Sequence, residues 1–239
     1  MKHLSNQHGF TLLEVLIAVT ITALIGVGAS QLLSNISDIK TSTEVRSTSL
    51  RYLQRMDTFI RKDLWQITGR EIKDSYGQYQ LSAKTDGDYL FEFSRSGSAF
   101  QLLNKSGVSN LQRVAYGSFS HTSEFCDDAI KPLEESEYNN CLVRFFWPVL
   151  DRTSDTEPLA QVLLDQVRNV EIKFRGQLIN TNNPAETVRS NDWLDEWPGE
   201  YLESGVVPDL VQVKLQLEDR YLGRFERVYE VPRFAFNGL

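Results

Sequence analysis

Histidine and cysteine are scarce in this chain of 239 residues, which holds three of the first and two of the second. His3 and His8 fall in the first eight residues, which leaves His121 as the one imidazole of the body. That argues against histidine-based catalysis and against a multi-histidine metal centre. An excess of positive charge is also missing. Twenty-five Lys and Arg face 32 Asp and Glu, a formal net charge of −7, so nothing favours a nucleic-acid backbone or anionic headgroups as partner. No GxSxG nucleophile elbow, GxxxxGK phosphate loop or HExxH zinc motif occurs. The acids Asp127, Asp128, Glu134, Glu135 and Glu137 lack the oxygen spacing and turn glycine of a calcium loop, and read as a solvated loop. Asp86-Gly87-Asp88 reads as a turn before a strand. Neither enzyme chemistry nor a cofactor or metal is expected. With 41% hydrophobic and 24% charged residues, the chain has the material for a buried core in one domain or two small ones.

What the chain does have is one long apolar run near its start. Phe10 to Leu33 is 24 residues, enough at about 1.5 Å per residue to cross a bilayer core of about 30 Å. The preceding MKHLSNQHG carries one lysine and no acid, a flank that stays cytoplasmic and sends the body outward. A removable signal peptide and an ordinary signal anchor compete with this reading. Glu14 decides against both, because an acid at mid-membrane costs about 2.5–3.5 kcal/mol and an ordinary apolar region excludes it. Nor does a small-x-small cleavage site follow the run. Glu14, Ala18, Thr22, Gly26 and Ser30 recur every four residues, a small-residue ridge below the acid that allows close helix packing. Membrane spans also tolerate Gly, Ala and Thr without such a role.

The run Gly9-Phe10-Thr11-Leu12-Leu13-Glu14 followed by VLIAV resembles the processing motif of type IV pilins and pseudopilins. The resemblance implies that a prepilin peptidase cuts between Gly9 and Phe10 on the cytoplasmic side and methylates the new amine of Phe10. It also makes Glu14 the assembly residue and keeps the apolar helix attached to the inner membrane. Physically, cleavage leaves a cationic amine heading an apolar helix, and a nearby carboxylate can neutralise it.

Beyond the membrane the helical pattern continues through Ile36, Ile39, Leu50, Leu53, Ile60, Leu64 and Ile67. No proline precedes Pro132, and Gly69 is the expected stop. The spacing therefore divides the chain into a leader (1–9), a transmembrane helix (10–33), a helical spine (34–68) and a β-rich globular domain (69–239). In that domain Tyr89–Phe93, Leu111–Tyr116, Leu142–Trp147, Val170–Arg175 and Val211–Leu217 read as strands with one buried and one wet face. Trp147, Trp193 and Trp197 read as core. Cys126 and Cys141 lie 15 positions apart with no zinc co-ligands, and are either a disulfide of an oxidising compartment or two unpaired thiols.

Arg61-Lys62-Asp63-Leu64 with Arg70, then LQRVAY, WPVLDR, EPLAQVLLDQVRNVEIKF, VPDLVQVKLQLED and RVYEVP, resemble the minor pseudopilin J family of type II secretion systems. The resemblance implies an α+β pilin-like fold, a long N-terminal helix packed on antiparallel sheets. It implies as partners the minor pseudopilins I and K, with H and the major pseudopilin G below them. The stretch from Gly117 to Cys141 is longer than the family pattern. A minor pilin of a type IV or competence pilus would share the leader but not the downstream motifs. A signal-anchored periplasmic enzyme would explain neither.

Overall fold

The computed structural model describes residues 10–73, 76–87, 89–97, 110–132, 136–147, 150, 156–179, 187–189, 192–199 and 209–232. The leader and Gly9 lie outside them. The chain divides into two compact units, residues 1–48 and 49–239. That division falls inside α1 (Leu12–Trp65), because the last turns of the helix belong with the sheet.

In the first unit, Thr11 caps the helix: its hydroxyl oxygen accepts from the Glu14 backbone N–H at 3.3 Å, beside the Thr11 carbonyl that accepts from the same N–H at 3.1 Å. The hydroxyls further along are satisfied by the helix itself. Thr20 donates to the carbonyls of Leu16 at 3.0 Å and Ile17 at 2.8 Å, and Thr22 donates to Ala18 at 2.8 Å. Such bonds let a polar side chain sit in an apolar medium.

In the second unit, Met56, Ile60, Asp63 and Leu64 are the buried face of α1, at the i, i+4, i+7, i+8 spacing of one helical stripe. The helix ends at Trp65, three residues short of the expected Thr68. The reason is competition from the sheet. The Ser96 N–H donates to the Gln66 carbonyl at 2.8 Å and the Thr68 N–H to the Ser94 carbonyl at 2.9 Å, so the chain is captured by a strand before the helix can continue.

A small hairpin follows, β1 (Ile72–Lys73) with β2 (Tyr79–Gln80). The main sheet is antiparallel throughout and comprises β3 (Ala83–Asp86), β4 (Tyr89–Ser96), β5 (Leu111–Ser120), β6 (Asn140–Trp147), β7 (Leu159–Ile179), β8 (Thr187–Arg189), β9 (Asp209–Asp219) and β10 (Gly223–Glu230). Its order is β10-β9-β7-β6-β5-β4-β3, with β8 paired to β7. Every strand expected from alternation is present, but β7 begins 11 residues before Val170. Its first half pairs with β6 and its second half with β9, and the register shifts between Arg168 and Glu171. Asn169 sits at that shift with φ of 50°, a left-handed conformation that asparagine tolerates. The sheet curls: Leu194 pairs with Phe174 of β7, while the Trp197 carbonyl accepts from the Thr85 N–H of β3 at 2.8 Å.

Period-two alternation puts a core on each face of the sheet. Phe91, Phe93, Val114, Tyr116, Leu142, Phe174, Val213 and Leu215 pack with the helix stripe. Ala115, Cys126, Cys141, Val143, Phe145 and Trp147 pack on the other face, under the segment after β5. Trp147 and Trp197 are buried as expected, but Trp193 is not core. It is half-buried, clasped by Arg175 at 4.2 Å and Lys214 at 4.6 Å from its ring, because those cations stand on the wet face of β7 and β9.

Candidate functional site

Among the described residues no catalytic constellation is formed, and the candidate functional features are the head of the helix and the attachment of the spine to the body. Phe10 is 84% exposed and Glu14 is exposed at the third helical position. Thr11-x-x-Glu14 has the spacing of a capping box, a signal in the sequence that explains locally why the helix starts here. The cap uses the Glu14 backbone, which leaves its carboxylate available. The ridge residues Ala18, Thr22, Gly26 and Ser30 are exposed, and a Cβ at Gly26 would meet open space. Among the described residues nothing therefore requires a small residue at Gly26. The helix is long and apolar enough to cross a membrane and none of its most apolar window is buried.

The spine is held to the body by a carboxylate near the end of α1. Asp63 is fully buried. Arg144 of β6 donates Nε to its Oδ2 at 2.6 Å and an Nη to its Oδ1 at 3.1 Å. Tyr116 of β5 donates its hydroxyl at 2.7 Å, and Arg95 of β4 adds a further ion pair. One helix side chain thus engages three adjacent strands. Burial foremost, and then the negative charge of Asp63, push the Tyr116 phenol well above its ordinary range, so it is a neutral donor. Burial, the largest single influence, works to lower the Arg144 guanidinium, but the charge and hydrogen bonds of Asp63 together with Tyr116 outweigh it and the net direction is up. A signal for this anchor exists in the sequence. Asp63 falls on the apolar stripe of Met56, Ile60 and Leu64, where an acid without a partner would be very costly.

A further contact fixes the same face of the helix. The Tyr229 hydroxyl of β10 donates to Asp57 at 2.9 Å, and burial followed by the Asp57 charge raises the Tyr229 phenol. Within the sheet, buried Arg113 pairs with Glu92 at 2.8 Å. Cys126 and Cys141 are joined in a disulfide with Cα atoms 6.0 Å apart. It pins the 3-10 turn Glu124–Cys126 to β6, which gives the long stretch after β5 a defined seat.

Comparison with known proteins agrees with this arrangement. The pattern of the prokaryotic N-terminal methylation motif matches residues 4–30, and that of type II secretion system protein J matches residues 31–231. Relatives named type II secretion system protein J include one from Vibrio cholerae, 25% identical over 94% of this chain and 87% of its own length. Another is from Klebsiella pneumoniae, 26% identical over 89% of this chain and 90% of its own. The fold resembles a chain in the crystal structure of the GspK-GspI-GspJ complex from enterotoxigenic Escherichia coli, with a TM-score of 0.51 at 21% identity, covering 77% of this chain and 97% of that one. The methylation motif and the apolar helix make the protein a single-pass, membrane-anchored component. Since the protein J pattern spans well over half of the 239 residues, the chain belongs to the type II secretion system protein J family, the non-catalytic minor pseudopilins.

Proposed function

We propose that this minor pseudopilin joins the minor pseudopilins I and K at the tip of the pseudopilus, above H and the major pseudopilin G, and helps to start the filament that exports folded proteins across the outer membrane. Support for I and K comes from the E. coli complex, in which a chain of this fold is described together with GspI and GspK. The leader is cut between Gly9 and Phe10 by the prepilin peptidase, and Phe10 is methylated. The helix stays in the inner membrane with the body in the periplasm, and the Cys126–Cys141 disulfide fits that oxidising compartment.

The observation that carries this reading is the exposed helix. From Phe10 to Ile36 every large apolar side chain is exposed, with a single acid, Glu14, near its head. Lipid can cover the apolar surface, but a carboxylate there needs a cationic partner. The amine of a pseudopilin already placed above supplies one, and the attraction sets the register as this chain leaves the membrane. The ridge below Glu14 then packs against neighbouring helices.

Deletion of the gene tests this reading: the secreted proteins should be retained in the periplasm. The wild-type gene should restore export, and Glu14→Leu should not. Normal export in the deletion strain, or from Glu14→Leu, would overturn the proposal.

A further inference from the structure

In residues 49–239 a groove of about 660 Å³ runs beside α1, floored by Arg144 and Phe146 of β6 and rimmed by Arg55 and Lys62 of the helix. The charge beneath it does not balance. Asp63 is one carboxylate between two guanidinium groups, Arg95 and Arg144, which are only 3% and 6% exposed. Tyr116 adds a hydrogen bond but no second negative charge, since its phenol stays protonated. Arg95 turns its other N–H groups to neutral acceptors, the Gln112 side chain and the Gly97 carbonyl. Arg144 gives two N–H groups to Asp63, and a guanidinium carries five. Its central carbon lies 5.5 Å from the Phe59 ring and 5.2 Å from the Phe146 ring, both of which line the groove.

Asp128 and Asp165 line the same groove, but among the described residues neither forms an ion pair with Arg95 or Arg144. An excess positive charge held away from water is costly until an anion meets it. The chain as a whole carries a formal −7, so this cationic floor runs against the general charge of the protein.

We propose that the groove receives a carboxylate side chain of a neighbouring polypeptide. The acid sits against Arg144 with Arg55 and Lys62 at the rim, and an adjoining apolar side chain rests on Phe59, Phe146 and Leu159. A peptide suits the groove better than a free anion, because its volume is that of a ligand pocket and its walls are aromatic and aliphatic as well as charged. The inference rests on the reading that this protein assembles with other pseudopilins, and it assigns part of that contact to the body.

The test uses the full-length chain in detergent and two peptides, acetyl-Leu-Glu-Leu-Glu-Leu-amide and its twin with Gln for Glu. The Glu peptide should bind at least about tenfold more tightly, and more weakly as salt rises. Arg55 and Lys62 are exposed, so Arg55→Glu/Lys62→Glu should leave folding intact and abolish the preference. Equal binding of the two peptides, no binding of either, or an unchanged preference in the variant would overturn the proposal. So would inorganic phosphate binding as tightly as the Glu peptide, which would make this a free-anion site. Co-purification of the wild type with I and K, measured alongside, separates failure of the groove from failure of the assembly reading.

Discussion

Asp63→Asn is the substitution on which the anchoring of the spine depends most. The change keeps the size of the side chain and removes its charge, leaving Arg95 and Arg144 buried with no anion between them. It also turns one acceptor oxygen into an NH₂ donor facing groups that themselves donate: two N–H groups of Arg144, one of Arg95 and the Tyr116 hydroxyl. Breaking a buried pair by removing one partner costs about 3–5 kcal/mol. In a unit of this size that lowers Tm by roughly 6–20 °C. Urea and thermal unfolding of the full-length chain in detergent, followed by near-ultraviolet circular dichroism, would measure it. A companion pair separates charge from packing. Asp63→Leu/Arg144→Met should be more stable than Asp63→Leu alone, because it removes one of the two stranded cations. A loss below about 1 kcal/mol in Asp63→Asn, the size of an ordinary neutral hydrogen bond, would refute the reasoning, as would no recovery in the double variant.

Other consequences follow from the same structure. Cys126→Ser/Cys141→Ser should lose about 3 kcal/mol, as expected for a loop of roughly 15 residues, and the oxidised wild type should weigh two daltons less than its reduced form; free thiols in periplasmic protein would contradict this. Gly117→Ala places a Cβ 2.4 Å from the Phe119 ring, so it should cost about 1–3 kcal/mol through overpacking, and a neutral effect on urea unfolding would contradict it. Tyr116 and Tyr229 have raised phenol pKa values, so the stability they contribute is present below about pH 10 and is lost as pH rises through their folded values. Alkaline unfolding should therefore coincide with their ionisation at 295 nm, and Tyr229→Phe should lessen the decline; stability that does not fall above pH 10 would count against it. Gly9→Val should keep the leader attached, since the peptidase must approach the backbone closely, and a mature mass in that variant would rule out this cleavage point.

Alternation makes the sheet legible. Val211, Val213, Leu215 and Leu217 announce β9, and all four are buried. The limits of the elements are less legible, because they are set by partners distant in sequence. The helix stops where β4 offers backbone bonds to the Gln66 carbonyl and the Thr68 N–H. The reach of β7 depends on the shift at Asn169, which lets one strand serve β6 and then β9. Trp193 misleads because its aromatic ring says core, whereas Arg175 and Lys214 beside it say surface. The head of the helix is readable down to Glu14, since an acid in an apolar run stands out. Asp63 is harder to see. It lies among Arg61, Lys62 and Trp65, where local sequence suggests a solvated charge, and only the folded sheet brings Arg95, Tyr116 and Arg144 to it. Its place in the apolar stripe is the available clue.

The assembly proposed for this protein turns on a membrane contact of Glu14 with other pseudopilins. Recovery of the full-length chain from membranes that also contain the minor pseudopilins I and K, for wild type and for Glu14→Leu, puts that contact to the test. Because the Thr11 cap uses the backbone of Glu14, the substitution leaves the start of the helix intact. Wild type should be recovered with both partners, and Glu14→Leu should be cleaved and inserted normally but recovered with neither at wild-type yield. Recovery of Glu14→Leu with I and K at wild-type yield would contradict the proposed contact.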